Sequence, residues 1–63
     1  MTVAINTCRY WLQGKLYPDL HRDEFLSLLM GLYDLNPVDA RRALSDAEQA
    51  EQFADQFEIA VSN

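Results

Sequence analysis

Residues 22–35 read RDEFLSLLMGLYDL, the most apolar stretch of the chain. At about 100° per residue in an α-helix, its apolar side chains cover an arc of about 220°. A helix on the surface of a globular protein needs an apolar stripe of only about 100°. The stretch therefore predicts a central helix, with more apolar surface than three short neighbours in one chain can readily cover.

This excess of apolar surface predicts that the helix contacts a second copy of the chain. A domain of 63 residues buries only about 60% of the surface of its unfolded form and commonly needs a disulfide, a metal or a partner. An internal disulfide is excluded because Cys8 is the single cysteine, and His21 is the single histidine, so neither a metal site nor a cofactor is expected. The residues expected in the homodimer interface are Phe25, Leu28, Leu29, Met30 and Leu32.

The positions of glycine and proline in the first half of the chain are typical of short helices separated by turns. A first helix is predicted from about Val3 to Gln13, because Gly14 suits the left-handed residue that follows a helix. The segment after it contains Pro18 and is predicted to be a connector. The central helix then runs from about Arg22 to Leu35.

Two further helix starts are predicted in the second half of the chain. Asn36 is a favoured helix cap and Pro37 fits the first helical position, which predicts a third, short helix. Ser45-Asp46-Ala47-Glu48 has the pattern of a capping box and predicts a separate start for the last helix. The expected fold is therefore one all-α domain over residues 1–63, a small bundle of three to four short helices completed by homodimerisation.

The last helix is expected to carry an apolar face and an acidic one. From Ser45 to Asn63 there are five acidic side chains and no basic one. Four carboxylates, spaced by three, four and three residues, fall along one side of a helix and are called the carboxylate ridge here. The ridge consists of Glu48, Glu51, Asp55 and Glu58. The expected core face consists of Ala50, Phe53, Ala54, Phe57, Ala60 and Val61.

Two interpretations of the carboxylate ridge stay open. It is either a solvated face that keeps a small apolar protein in solution, or a contact for a partner protein with a basic surface. Asp55 and Glu58 oppose the dipole in the last turns of the helix, which slightly favours a functional role.

Arg41 and Arg42 suggest a different class of function. A basic pair on a helix that follows a tight turn is similar to the recognition element of a helix-turn-helix protein, so a nucleic-acid-binding module is the alternative. The chain has a net charge of −5, however, and two arginines neutralise few phosphates. We expect these arginines to pair with Asp39, Asp46 or the acidic ridge of another subunit.

Three aromatic side chains near the first helix form a further candidate binding surface. Tyr10 falls off the apolar side of that helix and Tyr17 lies in the connector, so both are candidates for exposed anchors. Trp11 is either part of this binding surface or a core residue of a small bundle. Cys8 and His21 are expected to be a small apolar core residue and a residue at the start of the second helix.

Several classes of function are disfavoured by the sequence. No nucleophile motif, metal-binding motif or glycine-rich phosphate loop is present, so no catalytic residue is expected and the protein is not expected to be an enzyme. The N-terminal residues lack the pattern of a signal peptide, and no apolar run is long enough to span a membrane. A single unpaired cysteine is typical of a reducing cytoplasm, which is the expected compartment.

Residues 29–33, LMGLY, followed by residues 36–44, NPVDARRAL, resemble part of a ubiquitin-associated domain. That family has a Met-Gly-aromatic loop before a short helix that ends in Ala-Leu. In this chain Met30-Gly31 falls inside the predicted central helix, so ubiquitin binding is not expected.

In length, acidity and lack of catalytic motifs, the whole chain resembles the small acidic all-helical accessory proteins from the early regions of lambdoid temperate phages. This resemblance implies a dimeric helical protein that redirects a host factor by binding it. Its partners would then be a second copy and an unidentified protein, with no role for a membrane.

Overall fold

The structure, a computed structural model, describes the backbone of residues 2–62 and the side chains of residues 2–54. Three α-helices make up most of this part of the chain: α1 Thr2–Leu12, α2 Arg22–Tyr33 and α3 Pro37–Ser62. No strand occurs among residues 2–62. The predicted all-α class is confirmed.

The first two helices run antiparallel to each other. At one end, the ring of Trp11 stacks on Phe25, with the ring centroids 4.5 Å apart. At the other end, the hydroxyl groups of Thr7 and Tyr33 share a hydrogen bond of 2.6 Å. Residues later in α1 thus meet residues earlier in α2.

The third helix returns antiparallel to α2 and therefore runs parallel to α1. At the start of α2, Arg22 reaches Glu48 in the middle of α3. Near the end of α2, Met30 lines a groove together with Pro37, the first residue of α3. The short connection between the two helices dictates this reversal of direction.

The core is built largely from small side chains. Only three large apolar residues among the described side chains, Phe25, Leu29 and Leu44, are fully buried. The other buried positions are alanines and a cysteine, which allow helices to approach closely. They are Ala4, Cys8, Ala40, Ala43 and Ala47. In so small a core, the free energy gained by burying apolar surface only slightly exceeds the cost of the conformational entropy lost on folding. Each large buried residue therefore contributes a substantial part of the stability.

The predicted end of α1, to within one residue, and the predicted start of α3 are confirmed. Gly14 has a φ of 76°, the left-handed conformation. The Gly14 N–H donates to the carbonyl of Trp11 and the Lys15 N–H to that of Tyr10, the two hydrogen bonds of a Schellman motif. At the start of α3, the Asn36 side-chain oxygen accepts from the Asp39 N–H at 2.8 Å.

The central helix begins where predicted but ends earlier. His21 occupies the N-cap position, and its N–H donates to the carboxylate of Glu24 at 3.3 Å. The end was predicted near Leu35, whereas α2 stops at Tyr33 because Asp34 adopts a left-handed conformation with a φ of 53°. Aspartate tolerates this region better than most residues other than glycine.

The prediction of a separate helix start at Ser45 is wrong. Helix α3 continues without a break through Ser45-Asp46-Ala47-Glu48. The buried residues of α3 explain this continuity, because they recur on one face at spacings of three and four across the predicted boundary. They are Ala40, Ala43, Leu44 and Ala47. Breaking the helix at Ser45 would divide this face.

The assignment of Phe53 to the core face is also wrong, since its side chain is 69% exposed. At about 100° per residue, Phe53 lies about 120° around α3 from the buried Ala47. Ala50 and Ala54 are half-buried. The side chains of Phe57, Ala60 and Val61 lie outside the described residues.

The apolar arc of α2 is covered by the chain itself more completely than expected. Phe25 and Leu29 are fully buried, and several neighbours on the arc are half-buried against the core. Leu32, by contrast, is 50% exposed. Because α1 and α3 cover most of the arc, its width does not by itself require a second copy.

Candidate functional site

The carboxylate ridge lies along an uninterrupted helix. Because α3 extends to Ser62, positions 48, 51, 55 and 58 share one side of it. The side chains of Asp55 and Glu58 lie outside the described residues. The first two carboxylates, of Glu48 and Glu51, each form an ion pair with an arginine of another helix.

Glu51 is held by two side chains of the α1 region. Its Oε1 atom accepts from Arg9 Nε at 2.7 Å and from Gln13 Nε2 at 2.9 Å. The hydrogen bond from Arg9, and next that from Gln13, lowers the pKa of the Glu51 carboxyl below its usual value. The contact ties the end of α1 to the middle of α3.

Glu48 is held by α2. Arg22 Nη1 donates to Glu48 Oε1 at 2.8 Å, in a more exposed setting than the Arg9–Glu51 pair. No sequence pattern indicated Arg9 or Arg22 as partners of the ridge, because they lie 42 and 26 residues from the carboxylates they bind. Two of the four ridge carboxylates, Glu48 and Glu51, therefore link α3 to the other helices.

Arg41 and Arg42 are both exposed on the first turns of α3. Among the described side chains neither arginine forms an ion pair; the pairs present are Arg9–Glu51 and Arg22–Glu48. Pairing with Asp39 or Asp46 of the same chain is thus not seen. Arg41 instead lines a groove of about 140 Å³ between α2 and α3, opposite Asp23. The lining of this groove is mainly apolar, with Leu26 and Met30 among its residues.

The residues predicted for a dimer interface are divided by the fold. Phe25 and Leu29 have no exposed surface and belong to the core of the single chain. Leu28 and Met30 are half-buried, and Leu32 is exposed. Only the last three positions can meet another molecule without a change of fold.

Of the three aromatic candidates for a binding surface, one is a structural residue and two are exposed. Trp11 packs on Phe25, and its indole N–H donates to the Leu20 carbonyl at 3.2 Å, so it is a structural residue. Tyr10 and Tyr17 are 52% and 39% exposed. Tyr10 borders a polar recess of about 150 Å³ that Asn6, Arg9 and Gln13 complete. Tyr17 has a φ of 49°, an uncommon conformation for a tyrosine.

Neither Cys8 nor His21 is placed for chemistry. Cys8 is fully buried, and burial raises the pKa of its thiol to about 11, so the reactive thiolate is scarce at neutral pH. His21 is exposed at the cap of α2. Among the described residues, no three potential metal ligands come together, and no helix is both long and apolar enough to cross a bilayer.

No protein-family model, curated protein or solved structure matches the chain. Met30 and Gly31 lie inside α2, where ubiquitin-associated domains have a loop.

Proposed function

We propose that the chain is a small, non-enzymatic, cytoplasmic regulator that binds a partner protein through the carboxylate ridge. The observation that carries the proposal is the unbroken course of α3 from Pro37 to Ser62, which keeps the ridge positions on one side of a single helix. No basic residue follows Arg42 in the sequence. A partner that complements this helix has a basic surface, most simply of arginines, which bind carboxylates in a bidentate manner.

The ion pairs of the ridge indicate which part of it meets the partner. Arg9 and Arg22 already offset the charges of Glu51 and Glu48. A partner arginine at those positions must compete with them, and exchanging one exposed ion pair for another yields little free energy. The sequence carries two further ridge charges at Asp55 and Glu58. The partner contact is therefore centred beyond Glu51.

Affinity capture from cell lysate, followed by mass spectrometry, tests this proposal. The variant to compare with the wild type is Asp55→Gln together with Glu58→Gln, because changing Glu48 or Glu51 would also remove a contact of the fold. A matched control, Asp19→Asn together with Asp34→Asn, removes the same charge at two exposed positions outside the ridge. We expect capture of proteins with basic surfaces, reduced by the ridge variant and not by the control.

Salt gives a second criterion. At a few tenths molar salt the Debye length is about 5 to 6 Å, so contacts between exposed charges are strongly screened. Capture through the ridge should fall accordingly. Capture that survives both high salt and the ridge variant would mean that the ridge is only a solvated face.

A nucleic-acid-binding module remains the alternative, favoured by the exposure of both Arg41 and Arg42 on the helix that follows a short turn. A gel shift with nonspecific duplex DNA at low salt separates the two functions. We expect no shift, since the chain carries a net charge of −5. A shift that weakens steeply with salt and disappears in Arg41→Gln with Arg42→Gln would support the alternative.

A further inference from the structure

Two large apolar side chains are exposed on the part of α3 whose side chains are described. Val38 is 59% exposed and Phe53 is 69% exposed. They lie about 22 Å apart along the helix and about 60° apart around it. The positions between them on this face, Arg42, Ser45, Asp46 and Gln49, are all exposed. This solvent-facing strip, Val38, Arg42, Asp46, Gln49 and Phe53, is called the α3 seam here.

The α3 seam is complementary to itself when a second copy runs antiparallel. A two-fold axis midway between positions 45 and 46 brings Phe53 of one copy opposite Val38 of the other, because both are equally far from the midpoint. The same axis brings Arg42 opposite Gln49 and about one turn from Asp46 of the second copy. We propose that two copies of this chain associate through antiparallel α3 seams, with reciprocal contacts as in other two-fold interfaces.

Charge decides between the two possible directions of the second helix. In a parallel pair, Arg42 would face Arg42, and like charges at close range repel. In the antiparallel pair the two arginines lie about 10 Å apart along the helices, whereas the two Asp46 side chains meet beside the axis in either direction. In the antiparallel pair each arginine approaches an aspartate. Arg42 and Asp46 take part in no ion pair among the described side chains, so both are available.

The proposed pairing leaves the carboxylate ridge accessible. Glu48 and Glu51 point toward α2 and α1, as their ion pairs with Arg22 and Arg9 show, whereas the α3 seam faces away from both helices. The inference therefore stands independently of partner binding at the ridge.

Sedimentation equilibrium over a concentration series, into the high micromolar range, tests the association. A contact between single helices is at the small end of protein interfaces, so the dimer should dissociate on dilution. Arg42→Asp should abolish association by placing carboxylates against Asp46 of the second copy. Adding Asp46→Arg to that variant should restore it. Phe53→Ser should weaken it at least tenfold, while Leu32→Ser, an exposed leucine on α2, should not.

Engineered cysteines test the direction of pairing. Ser45 lies beside the proposed axis, so Ser45→Cys should form a disulfide between two copies on mild oxidation. Gln52 lies on the same flank of α3, but its two copies would be about 20 Å apart, and Gln52→Cys should not cross-link. A parallel pair would cross-link both variants. The buried Cys8 is common to both and provides the background.

Folding of each variant is checked by its circular dichroism melt at a concentration where the chain is monomeric. The altered side chains are exposed, so these melts should match the wild type. A wild-type chain that stays monomeric throughout would overturn the inference. So would an association that Leu32→Ser disrupts and Arg42→Asp does not, which would place the interface on α2.

Discussion

The indole ring of Trp11 lies flat against the phenyl ring of Phe25, with the centroids 4.5 Å apart and the planes inclined by 5°. Trp11 is near the end of α1 and Phe25 is near the start of α2. The indole N–H also donates to the carbonyl of Leu20, in the connector between these helices. One side chain thus holds two helices and the segment that joins them.

Removing this side chain should therefore unfold much of the molecule. Trp11→Ala should lower the free energy of unfolding by about 3 to 5 kcal/mol, comparable to the whole stability of so small a domain. Trp11→Phe keeps an aromatic ring but loses the hydrogen bond and should cost about 1 kcal/mol or somewhat more. Urea denaturation followed by circular dichroism measures both. The exposed neighbour Tyr10 is the control, and Tyr10→Ala should change stability by less than about 0.5 kcal/mol.

The two glycines should respond in opposite directions to the same substitution. Gly14 has a φ of 76° and nothing within 4 Å of an added Cβ, so Gly14→Ala should lose about 1 kcal/mol or more through backbone strain alone. Gly31 lies within α2, also with free space around it, so Gly31→Ala should gain up to about 1 kcal/mol from helix propensity. Thermal melts of both variants give the comparison. A gain at Gly14 would contradict the left-handed cap.

The ion pair of Glu51 should appear in the dependence of stability on pH. Arg9 and Gln13 lower the pKa of the folded carboxyl from its ordinary value of 4.5. The resulting stabilisation is therefore present above about pH 4.5 and is lost as the pH falls through the folded pKa. Because the pair is partly exposed, we expect only about 0.2 to 1 kcal/mol, less at high salt.

Glu51→Gln should remove this contribution at neutral pH and flatten the loss of stability below pH 4.5. Denaturation curves between about pH 3 and pH 7 measure the slope. Asp19→Asn removes a charge from the exposed connector and serves as the control. An unchanged acid slope in Glu51→Gln would show that the contact with Arg9 does not stabilise the fold.

Local sequence patterns could not predict most of the contacts of the candidate site. The spacing of Glu48, Glu51, Asp55 and Glu58 predicted a shared side of a helix, and the backbone of α3 has the required continuity. The same spacing cannot show that Arg9 and Arg22 reach two of these carboxylates, since ion pairs between distant segments leave no periodic signal. The capping-box pattern at Ser45 was likewise outweighed by burial of Leu44 and the alanines around it.

Local sequence was sufficient for the helical class, for the end of α1 and for the start of α3, because glycine, asparagine and proline act through the backbone of their immediate neighbours. It was also sufficient to mark Cys8 as a small core residue. Tertiary packing alone determined that α3 is one helix, that Phe53 faces solvent and that the first half of the carboxylate ridge binds α1 and α2. These outcomes depend on where short helices lie beside a long one, and the free energy of burying a face is known only once its neighbour is in place.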